Sequence, residues 1–418
     1  MLMPSRRLAS SMNRPRWAPS SMTPLKPSDP RHSALMTGLY VHIPFCEKKC
    51  RYCNFPSIPR TEWDDAFCES YVEALLSEIE SAAQAAGEEL AVDSIFFGGG
   101  TPSLLPLRFL REITARLRHC FHEAESCELS IEANPGTIDA GTLKALRFCG
   151  FNRLSIGAQS LRDDRLAALG RIHGRREIFE ARDGAVKAGF PSIGMDLIYG
   201  IPGQGLAEWE RDLDEVLSLG LHHLSAYGLT PEEGTPLGDA IIRGLAEVPG
   251  DDEQAMMMEA AHERLTSCGY VHYEVSNFAL AGHECRHNMR YWLGGDYLGF
   301  GSSACSFMNR WRFSNTSDPR EYVRRIEEGL SPIVFAERLS LGRQMGEYMM
   351  MALRTEKGAG REDFMERFGV DPLEHYRREL DDLAAGGLVI VESSGTIRIP
   401  PRHFFLQSEI ASRFIEES

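Results

Sequence analysis

Short β-rich runs alternate with longer helical stretches from residue 39 onward, and this alternation is what most restricts the fold. The runs are LYVHI (39–43), DSIFF (93–97), CELSIEA (127–133), NRLSIG (152–157), SIGMDLIYG (192–200) and HHLSAYGL (222–229). Between them, segments 62–86, 107–121, 139–149, 176–189 and 206–219 repeat apolar residues at the three- and four-residue spacing of helices. Strands that alternate with helices pair in parallel. Gly- and Pro-rich clusters follow several runs, at 98–103, 133–137 and 200–204, on the side of the sheet where parallel α/β folds carry their sites. The expected architecture is α/β, a partial (β/α)6 barrel covering three-quarters of a full one.

The pattern changes after about residue 310. Helices near 338–354, 361–368 and 373–387 precede two short β runs at 388–393 and 396–401. They predict a small helical, winged-helix-like domain, so the expected division is an extension over 1–35, a barrel over 36–310 and a second domain over 311–418. The extension is basic, with six prolines that would interrupt an amphipathic helix, and it reads as disordered chain. The wing shape occurs in DNA-binding proteins, but a net charge of −15 and the lack of a concentrated basic face argue against a nucleic-acid partner.

Ten cysteines in 418 residues are too sparse for a disulfide framework, and three of them fall within eight residues: Cys46, Cys50 and Cys53. With no run of about 18 apolar residues and no secretory signal, a reducing compartment, the cytoplasm, is expected. Three thiolates suit three irons of a [4Fe-4S] cube and leave the fourth iron open, whereas structural zinc wants four ligands. His42, four residues upstream, keeps a Cys3His zinc site as an alternative. Gly99, Gly100 and Thr101 end the next run and open a helix, where bare backbone can approach a ligand and free amides can bind it. Glu132, Gln159 and Asp196 fall at or near the ends of successive runs, where buried polar groups need a polar ligand or one another. Arg171 can neutralise a carboxylate through its planar fork.

The segments YVHIPFCEKKCRYCNF (40–55), FFGGGTPSLL (96–105), SIEANPG (130–136), SIGAQS (155–160), LGRIH (169–173) and DLIYGIPGQ (196–204) together resemble the HemN/HemW group of radical S-adenosylmethionine (SAM) proteins. The resemblance covers roughly 39–310 and is looser beyond. It implies a [4Fe-4S] cluster on Cys46, Cys50 and Cys53. It also implies SAM contacts at Tyr40, Tyr52, Gly99, Gly100, Thr101, Glu132, Gln159, Arg171 and Asp196, for one SAM or two.

Within the group, the oxidase branch acts on coproporphyrinogen III and carries a further cysteine two residues past the third ligand, and a YxxYPT element ahead of the cluster loop. Here Phe55 holds the first position and residues 1–39 lack the second. The haem-chaperone branch carries HNxxYW, matched by His287, Asn288, Tyr291 and Trp292. That match implies haem as a ligand, with His287 as candidate axial ligand and Tyr291 and Trp292 packing on the macrocycle, and haem-requiring proteins as partners. Read alone, a histidine such as His287 is more often a hydrogen-bonded core residue, and Cys285 and His283 are alternative ligands. GSSACSF (301–307) departs from the glycine- and histidine-rich stretch of that branch, and the sequence leaves monomer and homodimer open.

Overall fold

A computed structural model describes residues 36–87 and 90–415; the expected extension over 1–35 lies outside these. Six strands follow one another in βα units: β1 (Thr37–Ile43), β2 (Ala91–Gly99), β3 (His122–Ala133), β4 (Arg153–Gln159), β5 (Ser192–Tyr199) and β6 (His223–Gly228). Helices α1 (Asp65–Ala86), α2 (Leu107–Cys120), α3 (Ala140–Phe148), α4 (Asp163–Leu169), α5 (Arg175–Ala188) and α6 (Leu206–Leu217) connect them. Capping sets several of these boundaries: the Asp64 side chain accepts from the Phe67 amide at 2.8 Å, and Asp139 from Thr142 at 2.7 Å.

The later elements are α7 (Pro236–Ile242), α8 (Asp251–Ser267), β7 (Val271–Glu274), β8 (Asn277–Ala279), α9 (Arg286–Trp292), β9 (Tyr297–Phe300), β10 (Cys305–Met308), β11 (Trp311–Asn315), α10 (Pro319–Glu327) and β12 (Ile333–Arg338). They extend the sheet at both edges into one of 12 strands, ordered β12-β11-β10-β9-β1-β2-β3-β4-β5-β6-β8-β7. The run from β9 to β6 is parallel and the flanks are antiparallel. The expected (β/α)6 unit is therefore the middle of a longer, open sheet.

The change of pattern near 310 does not end this sheet, because β11 and β12 pair with β10 and with each other. The main apolar core runs from Leu39 to Ile333, and a second one starts at Met345. The second is built by α11 (Leu341–Ala352), α12 (Arg361–Phe368), α13 (Pro372–His375), α14 (Arg377–Ala385) and α15 (Gln407–Ser412). The helix expected over 373–387 is broken at Tyr376, and the wing shrinks to two-residue strands, Ile390–Val391 with Ile397–Arg398.

The antiparallel flank of the sheet is fastened to α1 by a buried carboxyl that the sequence pattern does not reveal. Glu78 of α1 accepts from the Gly301 amide at 2.8 Å, Asn315 Nδ2 at 2.7 Å and the Tyr322 hydroxyl at 2.6 Å. Tyr71, two turns earlier, donates to the His42 carbonyl at 2.9 Å and accepts from the Ser302 amide at 2.9 Å. Gly301 sits at φ +96°, and a Cβ there would lie 2.6 Å from the Tyr71 hydroxyl, so the 301–307 wall is fixed by close approach.

Candidate functional site

The cysteine loop leaves β1 and is held at both ends. The Ile58 amide donates to the Pro44 carbonyl at 2.8 Å, and Trp63 Nε1 to the Cys46 carbonyl at 3.2 Å. At the tip, the Arg51 amide donates to the Leu169 carbonyl at 3.0 Å and the Arg51 carbonyl accepts from the Leu237 amide at 2.8 Å. Gly170, at φ +76°, leaves room for Arg51, whose Cγ would lie 2.7 Å from a Cβ there.

His42 belongs to this frame. Its Nε2 can only donate to the Pro56 carbonyl, at 2.9 Å, so Nδ1 accepts from the Tyr40 hydroxyl at 3.1 Å. Burial lowers its pKa to about 4, keeping the ring neutral. With both nitrogens engaged, His42 is a loop anchor, and the Cys3His zinc alternative loses its fourth ligand. Among the described residues no three Cys, His, Asp or Glu side chains converge as one metal ion requires. A cube meets its thiolates at separate corners, and the partly exposed, unbridged Cys50 and Cys53 beside Cys46 fit that demand.

A chain of hydrogen bonds runs between two of these thiols. Arg171 Nη1 donates to Cys50 Sγ at 3.3 Å, and Nη2 reaches the Gly157 carbonyl at 2.7 Å and the Asn134 side-chain oxygen. Asn134 Nδ2 donates to Thr101 Oγ1 at 2.8 Å, and Thr101 Oγ1 donates to Cys46 Sγ at 3.7 Å. Arg171 is thus turned toward the cysteine loop, and its buried Nε has no partner among the described residues. Tyr52 lies beside it, with its hydroxyl pKa pushed up by burial and held down by the Arg171 charge. Asn134 is the member that motif reading misses; the Asn-Pro-Gly turn at 134–136 is its one signal.

Two amides of the glycine loop are not free for a ligand as expected. The Gly100 and Thr101 amides are already spent on the Ile43 and Phe45 carbonyls, at 2.7 and 2.8 Å. A Cβ at Gly100 would lie 2.7 Å from the Phe45 carbonyl oxygen, and one at Gly99, φ +112°, 2.7 Å from the His42 ring. The run is bare because it packs against the stem of the cysteine loop, with Gly99 left to hydrogen-bond Glu132 through its backbone.

Glu132 and Asp196 stand near the mouth of the sheet on β3 and β5, both half-buried. Asp196 accepts from Ser155 at 3.1 Å and Ser225 at 2.7 Å. Burial, and next the Asp196 charge, push the Glu132 carboxyl up to about 8. Gln159 ends β4 with φ +72°, a strained setting for a non-glycine residue and one typical of ligand sites. A pair of carboxyls competing for protons suits a ligand that brings an ammonium or several hydroxyls.

The HNxxYW element forms α9, below this site and touching it. His287 is fully buried, 0% exposed, with Nδ1 at 3.2 Å from Ser94 Oγ and Nε2 at 2.7 Å from the Tyr291 hydroxyl. Its ring stacks on Phe96 at 5.4 Å and lies 6.4 Å from the Tyr40 ring. The element therefore adjoins the Tyr40 side of the site. Trp292 is half-buried under the Arg354 guanidinium, at 4.4 Å. Cys285 is buried against Glu128, and His283 is half-buried with Nδ1 at 3.2 Å from Ser192 Oγ.

Residues 40–216 match the Radical SAM superfamily, and residues 339–406 match the HemN C-terminal domain. The chain is 32% identical over 385 residues to the heme chaperone HemW of Bacillus subtilis, covering 91% of this chain and 100% of that one. It is 39% identical over 268 residues to the heme chaperone HemW of Escherichia coli, covering 64% and 69%. Among solved structures, coproporphyrinogen III oxidase (HemN) of Escherichia coli superposes with a TM-score of 0.80 at 25% identity, covering 92% of this chain and 91% of that one.

Proposed function

The chain belongs to the HemW family of radical SAM proteins, and from this we propose that it is a haem chaperone, binding haem and delivering it to haem-requiring proteins. The observation that carries the reading is the match to a heme chaperone over 91% of this chain and the whole of the relative. Phe55, 67% exposed where the oxidase branch has a cysteine, speaks against the oxidase alternative.

Membership implies a [4Fe-4S] cluster and SAM. In our reading Cys46, Cys50 and Cys53 hold the cluster, whose open iron would bind SAM and supply the electron that cleaves it. Arg171 and Asn134 fix the orientation of the thiols, and Tyr40, Tyr52, Gly99, Glu132, Gln159 and Asp196 border the space beside them. Gly100 and Thr101 contribute shape, since their amides are occupied.

Glu132 gives a test that separates ligand binding from folding. Its pKa of about 8 in the fold exceeds the unfolded value of about 4.5, so stability falls as pH rises through that interval. Glu132→Gln is always neutral. The variant is expected to melt higher than the parent at about pH 9 and to equal it at about pH 4, while binding SAM more weakly at both. Equal melting at the higher pH would remove Glu132 as a buried, proton-holding carboxyl.

The burial of His287 and the pairing of both its nitrogens favour a packing role, and burial keeps the ring neutral by lowering its pKa to about 3. Iron ligation by His287 would require the Tyr291 hydroxyl to leave. Titration of the reconstituted chain with haemin should saturate at about one haem per chain, and absence of a saturable Soret band would refute the chaperone reading.

A further inference from the structure

Two hydrogen-bond donors are left without acceptors side by side at the end of α9. Trp292 Nε1 and Arg354 Nε are both buried atoms with no partner among the described residues, and the Arg354 guanidinium lies over the Trp292 ring at 4.4 Å. Buried polar groups in native folds are nearly always paired, so two orphans in contact mark a place that calls for a partner from outside the chain. An indole N–H and a guanidinium Nε–H can only donate, so that partner is an acceptor.

Arg354 follows α11 and is fixed from two sides. Its carbonyl accepts from the Val275 amide at 2.9 Å, and the Glu356 amide donates to the Tyr273 carbonyl at 3.1 Å, so this turn is stitched to β7 and the residue after it. Its Nη2 reaches Glu274 Oε2 at 3.4 Å. That buried carboxyl also accepts from the Ser276 amide at 3.1 Å and from Asn277 Nδ2, so it orients the fork through one nitrogen and leaves Nε over. The Arg354 side chain is 24% exposed, within reach of a ligand. The stacking also decides how Trp292 can act: the guanidinium covers one face of its ring, and what it offers is the N–H at the ring edge. Two fixed donors beside a positive charge match a carboxylate.

We propose that Trp292 Nε1 and Arg354 Nε together seat one carboxylate of the haem cargo, which makes Arg354 a haem-binding residue supplied by the C-terminal helical unit. The proposal rests on the haem-chaperone reading and keeps the cargo at α9. It changes what the tryptophan of that element does, from packing on the macrocycle to holding its edge. It also accounts for two buried donors that the fold itself leaves unpaired. A grip on the edge leaves the faces of the macrocycle to an acceptor protein.

The test uses the full chain, reconstituted with its cluster and titrated separately with haemin and with haemin dimethyl ester, whose carboxylates are blocked. The parent should bind haemin about tenfold tighter than the ester. Trp292→Phe keeps an aromatic ring and removes the N–H, and Arg354→Lys keeps a cation beside Glu274 and removes the fork. Each should weaken haemin binding about five- to tenfold and leave affinity for the ester as in the parent, so that the preference nearly vanishes. Iron, sulfide and SAM binding should stay as in the parent. Equal weakening of haemin and ester would give both side chains a structural role and overturn the seat. Parent-like affinities in both variants, or a parent that does not distinguish the two ligands, would overturn it as well, and all three results leave the chaperone reading intact. Loss of SAM binding in either variant would put the acceptor on SAM and overturn the seat. Failure of the parent chain to bind haemin overturns both.

Discussion

Anaerobically reconstituted protein is expected to hold about four irons and four acid-labile sulfides per chain, and Cys46→Ala, Cys50→Ala or Cys53→Ala to hold almost none. The effect is near total because a cube bound through three thiolates has no protein ligand to spare. Cys68, which follows at some distance, is buried 2% exposed in α1 against the main core and cannot substitute. The loop is expected to survive the loss, since its ends are fixed by Pro44, Cys46 and Leu169 backbone carbonyls and by the Pro56–His42 contact. Circular dichroism of the three variants should therefore match the parent. Zinc without sulfide in faithfully reconstituted parent protein would contradict this reading of the loop.

Glu78→Leu is expected to be the most damaging substitution for the fold. It keeps the size of the side chain but strands the Gly301 amide and the Tyr322 hydroxyl and leaves Asn315 Nδ2 with only the Gly301 carbonyl as acceptor, all buried. A buried donor left without its acceptor costs about 1–3 kcal/mol. The three losses share one site and do not add fully, so about 4 kcal/mol is expected. Urea unfolding monitored by tryptophan fluorescence checks it. A change below about 1 kcal/mol would mean that the donors find other acceptors or water.

The β1–β6 half of the sheet was legible because each strand there carries its own punctuation, such as the glycines at 98–100 and the Asn-Pro-Gly at 134–136. The helices between them show their apolar face at regular spacing. From 271 to 338 the strands are three to six residues long and pair through antiparallel neighbours, so their period is too short to read and the sheet outran the change of pattern near 310. At the site, the residue types were legible and their partners were not. Gly100 and Thr101 look like free amides in sequence, and only the approach of Ile43 and Phe45 shows them spent. Asn134 and Glu78 act through residues 33 to 244 positions away, which no local pattern can carry. His287 illustrates the opposite case, where a motif letter suggests a ligand and the fold surrounds it with Ser94, Phe96 and Tyr291.

The most direct measurement takes one anaerobically reconstituted sample through two assays, haemin titration and conversion of coproporphyrinogen III in the presence of SAM and a reductant. A chaperone of the HemW family is predicted to retain haem stoichiometrically through gel filtration and to leave coproporphyrinogen III unchanged. Sustained formation of protoporphyrinogen IX by a sample that retains no haem would contradict the account.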